Sequence, residues 1–213
     1  MKSNNLAIIL AIAAIVCVGK TFYLKNTSLN KNTAVAIQPQ PRIYQPKAYI
    51  AIETNSTEIA ELSQNILYWL ARRTKNQWTA VDILVGEKVQ NLYSQAATRR
   101  DLEALSEQVK VMPSSDQALI QAIQRFKNEV EQNKQQHVYG FIVTKGTANS
   151  SSLAAIRQIC QKLAQTSSTT AHITIIGLSP ENRLPMSTAV APLSGGVQFA
   201  STAEEEWKEL IKF

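Results

Sequence analysis

The first 46 residues contain no aspartate or glutamate, and the whole chain of 213 residues holds only two cysteines, two histidines and seven glycines. Each scarcity closes off a class of function. Cys17 falls in an apolar run and Cys160 in a helical pattern, so neither a disulfide framework nor a cysteine-ligated metal site is available. His137 and His172 each stand at the start of a strand-like run, without a serine, cysteine or acid arranged as a catalytic triad, which argues against hydrolase chemistry. No glycine-rich loop precedes Thr144, Lys145 and Gly146. Those three residues therefore match the end of a phosphate-binding loop in composition only.

The missing acids also decide how the net charge of +6 is read. Lys2, Lys20, Lys25, Lys31 and Arg42 account for five of the 22 basic residues, leaving 17 against all 16 acids in the remainder. A surplus of one charge over residues 47–213 gives no broad electrostatic footprint for nucleic acid.

What is present begins with LAIILAIAAIVCVG at residues 6–19, continued by TFYL to position 24. As a helix, residues 6–24 would rise about 28 Å, enough for one crossing of a hydrocarbon core of roughly 30 Å if Lys20 reaches a headgroup layer. Val16, Val18 and Lys20 break the small-residue frame that a cleavable signal needs, so an uncleaved anchor is expected over residues 1–24. Lys2 on one side and Lys20, Lys25 and Lys31 on the other leave the orienting charge bias nearly balanced. Residues 25–46, with Pro39, Pro41 and Pro46 among Gln, Asn and Thr, read as a polar spacer.

From residue 47 to 213, strand and helix signals alternate. AYIAIE predicts a strand and residues 57–73 a helix, with Asn55 and Glu58 at capping-box spacing. WTAVDILVG predicts a second strand and KVQNLYSQ a short antiparallel edge strand beside it. Asp82 stands out as a charge inside the first of these runs. Thr98 and Asp101 form another capping-box pair before a helix bearing Leu102, Leu105 and Val109. Pro113, Ser114 and Ser115 precede a helix with Leu119, Ile123, Phe126 and Val130 on one face. HVYGFIVTKG suits a strand covered on both sides. A helix through Leu153, Ile156, Cys160 and Leu163 follows, then HITIIGL, a short helix, VQFAS and a last helix from about Thr202. Trp69, Trp78 and Trp207 are expected to pack internally. The sum is a doubly wound three-layer α/β sandwich around a mostly parallel sheet with one antiparallel edge strand, preceded by one transmembrane helix.

In such a fold, ligands meet the loops beyond the strand C-termini. Here these are residues 53–57, 113–116, 144–149 and 178–184. In ETNST, Glu53, Asn55 and Thr57 alternate through a strand-to-helix turn as oxygen donors to a hard cation would.

YIAIETNSTEIAEL, PSSDQALIQAI, VYGFIVTKG, and ITIIGL through STAVAPLSGGVQFAST, taken in order, make residues 47–213 resemble the von Willebrand factor type A domain family. The resemblance implies a helix-wrapped parallel sheet and adhesion, assembly or scaffolding through an upper-face metal site. The family's aspartate and two serines match Glu53, Asn55 and Thr57. Its threonine matches Ser114 or Ser115, and its later aspartate matches Lys145. An ammonium in place of a carboxylate removes a ligand and adds repulsion. Three readings follow. In the first, Lys145 stands in for the cation and pairs with Glu53; in the second, both are solvated loop residues; in the third, Glu53 still holds Mg²⁺.

The expectation is a membrane-tethered, non-enzymatic module that binds another protein within a membrane-associated complex. It would do so without a cofactor, through a rim made of Glu53, Asn55, Thr57, Ser115 and Lys145. The alternative is a nucleotide- or anion-binding α/β enzyme or regulator using loop 144–152, where GTANSSS places small polar residues at a helix start.

Overall fold

The computed structural model describes residues 47–133, 136–167 and 171–211. The predicted anchor over residues 6–24 and linker over residues 25–46 lie outside these. Among the described residues no helix is long and apolar enough to cross a membrane.

Six strands form one sheet: β1 (Lys47–Glu53), β2 (Trp78–Val85), β3 (Lys88–Ala96), β4 (Val138–Val143), β5 (Ala171–Ile176) and β6 (Val197–Ala200). Their order is β3-β2-β1-β4-β5-β6. All neighbours run parallel except β2 and β3. The helices are α1 (Thr57–Ala71), α2 (Arg99–Gln108), α3 (Asp116–Gln132), α4 (Ser150–Ser167), α5 (Pro180–Val190) and α6 (Glu204–Leu210).

Alternation along the central strands sorts side chains between two cores. Tyr49 and Ala51 join Phe126, Ile156 and Met186 under α3, α4 and α5, whereas Ile50 and Ile52 join Ile66, Leu102 and Trp207 under α1, α2 and α6. β1 and β4 are thus covered on both faces, which is why their sequences are almost continuously apolar. On α1, Ile59, Leu62, Ile66, Leu67 and Leu70 form the buried stripe, and removing such a side chain from water is worth about 1.5–3 kcal/mol. Gly140 in β4 is required by close approach: a Cβ there would lie 2.6 Å from the Phe126 ring.

Several local expectations need correction. Ser56 caps α1, accepting from the Ile59 N–H at 3.4 Å; Asn55 lies one residue too early, because β1 runs through Glu53. The Thr98–Asp101 capping box forms as expected. The antiparallel edge strand β3 forms where expected, extends KVQNLYSQ by Ala96, and is mostly exposed. Residues 178–184 are largely not a loop, since α5 starts at Pro180. Trp207 is fully buried and meets Trp69 edge-on at 6.2 Å. Trp78 is half-buried, with the Lys47 ammonium 4.3 Å from its ring centre.

Asp82 sits fully buried within β2. Its carboxylate accepts from the Tyr49 hydroxyl at 2.9 Å and Asn91 Nδ2 at 2.8 Å, and Arg125 Nε of α3 lies 3.1 Å away. A buried carboxylate is tolerated when donors and an opposite charge surround it. Burial first, and then the neighbouring Asp82, hold the Tyr49 hydroxyl well above the ordinary tyrosine range.

Candidate functional site

β1 and β4 are adjacent, yet the chain leaves them toward opposite edges of the sheet, so a crevice opens beyond their C-terminal ends. Glu53 closes β1 there and is 6% exposed. Its carboxylate accepts three hydrogen bonds: from Ser114 Oγ at 2.7 Å, from Thr144 Oγ1 at 2.5 Å, and from the backbone N–H of Lys145 at 3.2 Å. Thr144 Oγ1 in turn accepts from the Gly146 N–H at 2.9 Å.

The loops that bring these donors together are fixed by backbone bonds. Gly86, at φ +57°, donates to the Pro113 carbonyl and accepts from the Ser115 N–H, each at 2.8 Å, which sets Ser114 above Glu53. The Lys145 carbonyl accepts from Asn182 Nδ2 at 3.0 Å and the Ser179 N–H at 3.2 Å, tying the loop after β4 to the start of α5.

The Lys145 ammonium lies 3.6 Å from Glu58, on the exposed first turn of α1. The expected pairing with Glu53 is therefore made by the backbone of Lys145 and not by its side chain. The physical reason is solvation: Glu53 is buried and already has hydroxyl and amide donors, whereas Glu58 leaves the ammonium in water. Asn55 and Thr57 are exposed, and no described hydrogen bond joins either to Glu53. Of the residues picked out by sequence, the structure brings together Glu53, Ser114 and the main chain of Lys145. Ser115 contributes its N–H to Gly86, while its hydroxyl and that of Thr54 are buried without a partner among the described residues.

The sequence names Thr144 only for its likeness to a phosphate-binding loop and not as a partner of Glu53, although a hydroxyl at the end of an apolar strand was the available signal. Asp116 was not picked out as an acceptor either. Its Oδ2 accepts from Thr147 Oγ1 at 2.7 Å and Ser152 Oγ at 3.0 Å, binding loop 144–149 to α3. Asn149 Oδ1 accepts from the N–H groups of Ser151 at 3.0 Å and Ser152 at 3.2 Å, so the exposed amides at the start of α4 are already capped.

The two histidines lie at the other end of the strands, where β4 and β5 begin. His137 Nδ1 and His172 Nε2 are 3.2 Å apart, and the Tyr139 ring stacks on His172 at 5.0 Å between centres. Burial, followed by the proximity of His137, lowers the His172 pKa below the ordinary histidine value. Among the described residues, no group of three or more histidine, cysteine or acidic side chains is placed to hold a metal ion.

The sequence matches no protein-family model and none of the curated proteins. Solved structures share the fold. An aerotolerance-related membrane protein from Bacteroides fragilis superposes with a TM-score of 0.58 at 10% identity, over 78% of this chain and 96% of that one. The SpRpn10 VWA domain gives 0.53 at 10% identity, over 78% and 93%. The pilus adhesin SpaC from Lactobacillus rhamnosus GG gives 0.57 at 6% identity, over 80% of this chain and 29% of the adhesin.

Proposed function

We propose that this domain, which has the fold of von Willebrand factor type A domains in a divergent form, is a membrane-tethered, non-enzymatic protein-binding module whose upper rim works without a metal. The observation that carries the proposal is the Glu53 carboxylate, both of whose oxygens already accept hydrogen bonds, one from Ser114 and the other from Thr144 and the Lys145 N–H. A hard divalent cation takes a shell of oxygen lone pairs and favours several carboxylates. In this rim the Ser114 and Thr144 hydroxyl protons point at the carboxylate, the matching loop position supplies an ammonium, and the orphaned Thr54 and Ser115 oxygens are neutral. This donor set does not fit Mg²⁺. The hydrogen bonds to Glu53 join the three loops that an ion would otherwise bridge.

Binding without chemistry is supported by what surrounds the rim. Asn149 and Asp116 occupy the places where a phosphate would meet loop 144–152, and Asp116 would repel it. Tethering rests on the apolar run at residues 6–24, and a protein of like fold is described as a membrane protein. Another of like fold is described as an adhesin, in keeping with a protein partner.

The test is site-specific photo-crosslinking of the full chain in its own membranes, from Thr57 and from Val111, which is 53% exposed beside the rim. A defined protein adduct that persists in a chelator is expected. An adduct that disappears on chelation and returns with Mg²⁺ would refute metal independence, and lack of any adduct would count against the rim as the binding surface.

A further inference from the structure

A trough runs between α4 and α5, and no residue of the Glu53 cluster lines it. Its walls are Ser150, Leu153, Ala154 and Arg157 on α4 and Leu184, Pro185, Thr188 and Ala189 on α5, around a volume of about 470 Å³. On α4 these positions are spaced i, i+3, i+4 and i+7, which is one helical stripe. On α5, Leu184 and Thr188 are one turn apart and face away from Met186, which is buried in the core. Leu184 is 75% exposed, the most exposed large apolar side chain among the described residues. Core packing therefore does not account for its position.

The trough is built to keep its shape. Pro185 fixes its own φ in one wall, and the start of α5 is latched to the Lys145 carbonyl by Asn182 and Ser179. Arg157 is the charged residue on its lining; no acid lines it, and no described ion pair engages the guanidinium. An apolar furrow between two helices fits the apolar face of a third helix, and an arginine at its margin selects a carboxylate on that helix.

We propose that the α4–α5 trough seats an amphipathic helix of a partner protein, with one or two apolar side chains against Leu153 and Leu184 and a carboxylate on Arg157. The inference goes beyond the rim by adding a second surface, and it rests on the protein-binding function proposed above. Charge settles the choice of occupant. The chain's own residues 1–46 contain no acid to meet Arg157, and a second copy docked trough to trough would bring another acid-free lining. An anionic bilayer would meet Arg157 but has no helical ridge to fill the furrow.

The test uses the full chain in zwitterionic nanodiscs, with empty nanodiscs as the blank. The probe is a fluorescent helical peptide with leucines at i and i+4 and a glutamate at i+7, alongside a version carrying lysine at i+7. The glutamate peptide is expected to bind more tightly. Leu184→Asp, a change at an exposed position that leaves the core intact, is expected to weaken it about tenfold or more. Arg157→Glu is expected to reverse the preference in favour of the lysine peptide. Equal binding of both peptides, no binding by either, or Leu184-dependent adsorption only to phosphatidylglycerol nanodiscs would overturn the proposal. A photo-crosslinker at position 184 in native membranes separates it from the broader function. Adducts from Thr57 or Val111 with none from 184 would leave the protein-binding function standing and sink the trough. Adducts from none of the three would sink both.

Discussion

Glu53 and Thr144 are 91 residues apart in sequence, and the Thr144 hydroxyl donates to the Glu53 carboxylate at 2.5 Å across the crevice between β1 and β4. With Ser114 on the other carboxylate oxygen, one side chain holds together the loops that follow β1 and β4 and the loop that precedes α3. Replacing it with alanine strands two hydroxyls and an amide. Glu53→Ala should destabilise the domain by about 2–4 kcal/mol, whereas Glu53→Gln, which keeps one oxygen acceptor, should cost about 1–2 kcal/mol. Denaturant midpoints at constant slope would check the order; equal stability of all three proteins would mean that the carboxylate holds nothing.

The buried acid in β2 gives a second prediction. Arg125→Met leaves the Asp82 carboxylate with neutral donors only and should cost about 2–4 kcal/mol. That is at or below the range for a broken buried pair, because the arginine side chain is 41% exposed. Asp82→Leu combined with Arg125→Met removes both charges, so its cost should be less than the sum of the single changes, as a double-mutant cycle in urea would measure.

The histidine pair makes stability depend on pH. His172 is lowered below its ordinary value by burial and by His137, so the unfolded chain takes up the proton first as pH falls. This contribution to stability is complete above the unfolded value of about 6.5 and is lost progressively below it. Full-chain unfolding followed from pH 8 to pH 5 should show a decline beginning near 6.5, and His172→Gln should flatten it. An unchanged profile in the variant would assign the decline to other groups.

Gly140→Ala forces a methyl group against the Phe126 ring and should cost about 1–3 kcal/mol by overpacking. Adding Phe126→Leu should recover part of that loss if the clash is its cause. Thermal melts of the single and double variants decide the point.

Much of the architecture was legible because burial on both faces leaves continuous apolar runs, as in β1 and β4, and burial on one face leaves a helical stripe, as in α1 and α3. Caps were legible where the local sequence offered a single solution, as at Thr98 and Asp101. The start of α1 offered both Asn55 and Ser56, and the length of β1 decided between them. The rim was half legible. Sequence placed Glu53, Ser114 and Lys145 at one edge, but spacing does not say where a side chain points. The link that Lys145 makes to Glu53 runs through a backbone N–H that every residue but proline carries. Asp82 looked out of place in its strand because its partners lie on other elements, Asn91 on the neighbouring β3 and Tyr49 on β1 and Arg125 on α3 far away in sequence.

The most direct measurement is a calorimetric titration of Mg²⁺, and separately Mn²⁺, into the full-length protein in detergent. Heats of dilution alone, with no change in melting temperature, are expected from a rim whose carboxylate already accepts three hydrogen bonds. A saturable one-site isotherm, abolished by Glu53→Ala, would contradict the account and restore an ion to the crevice.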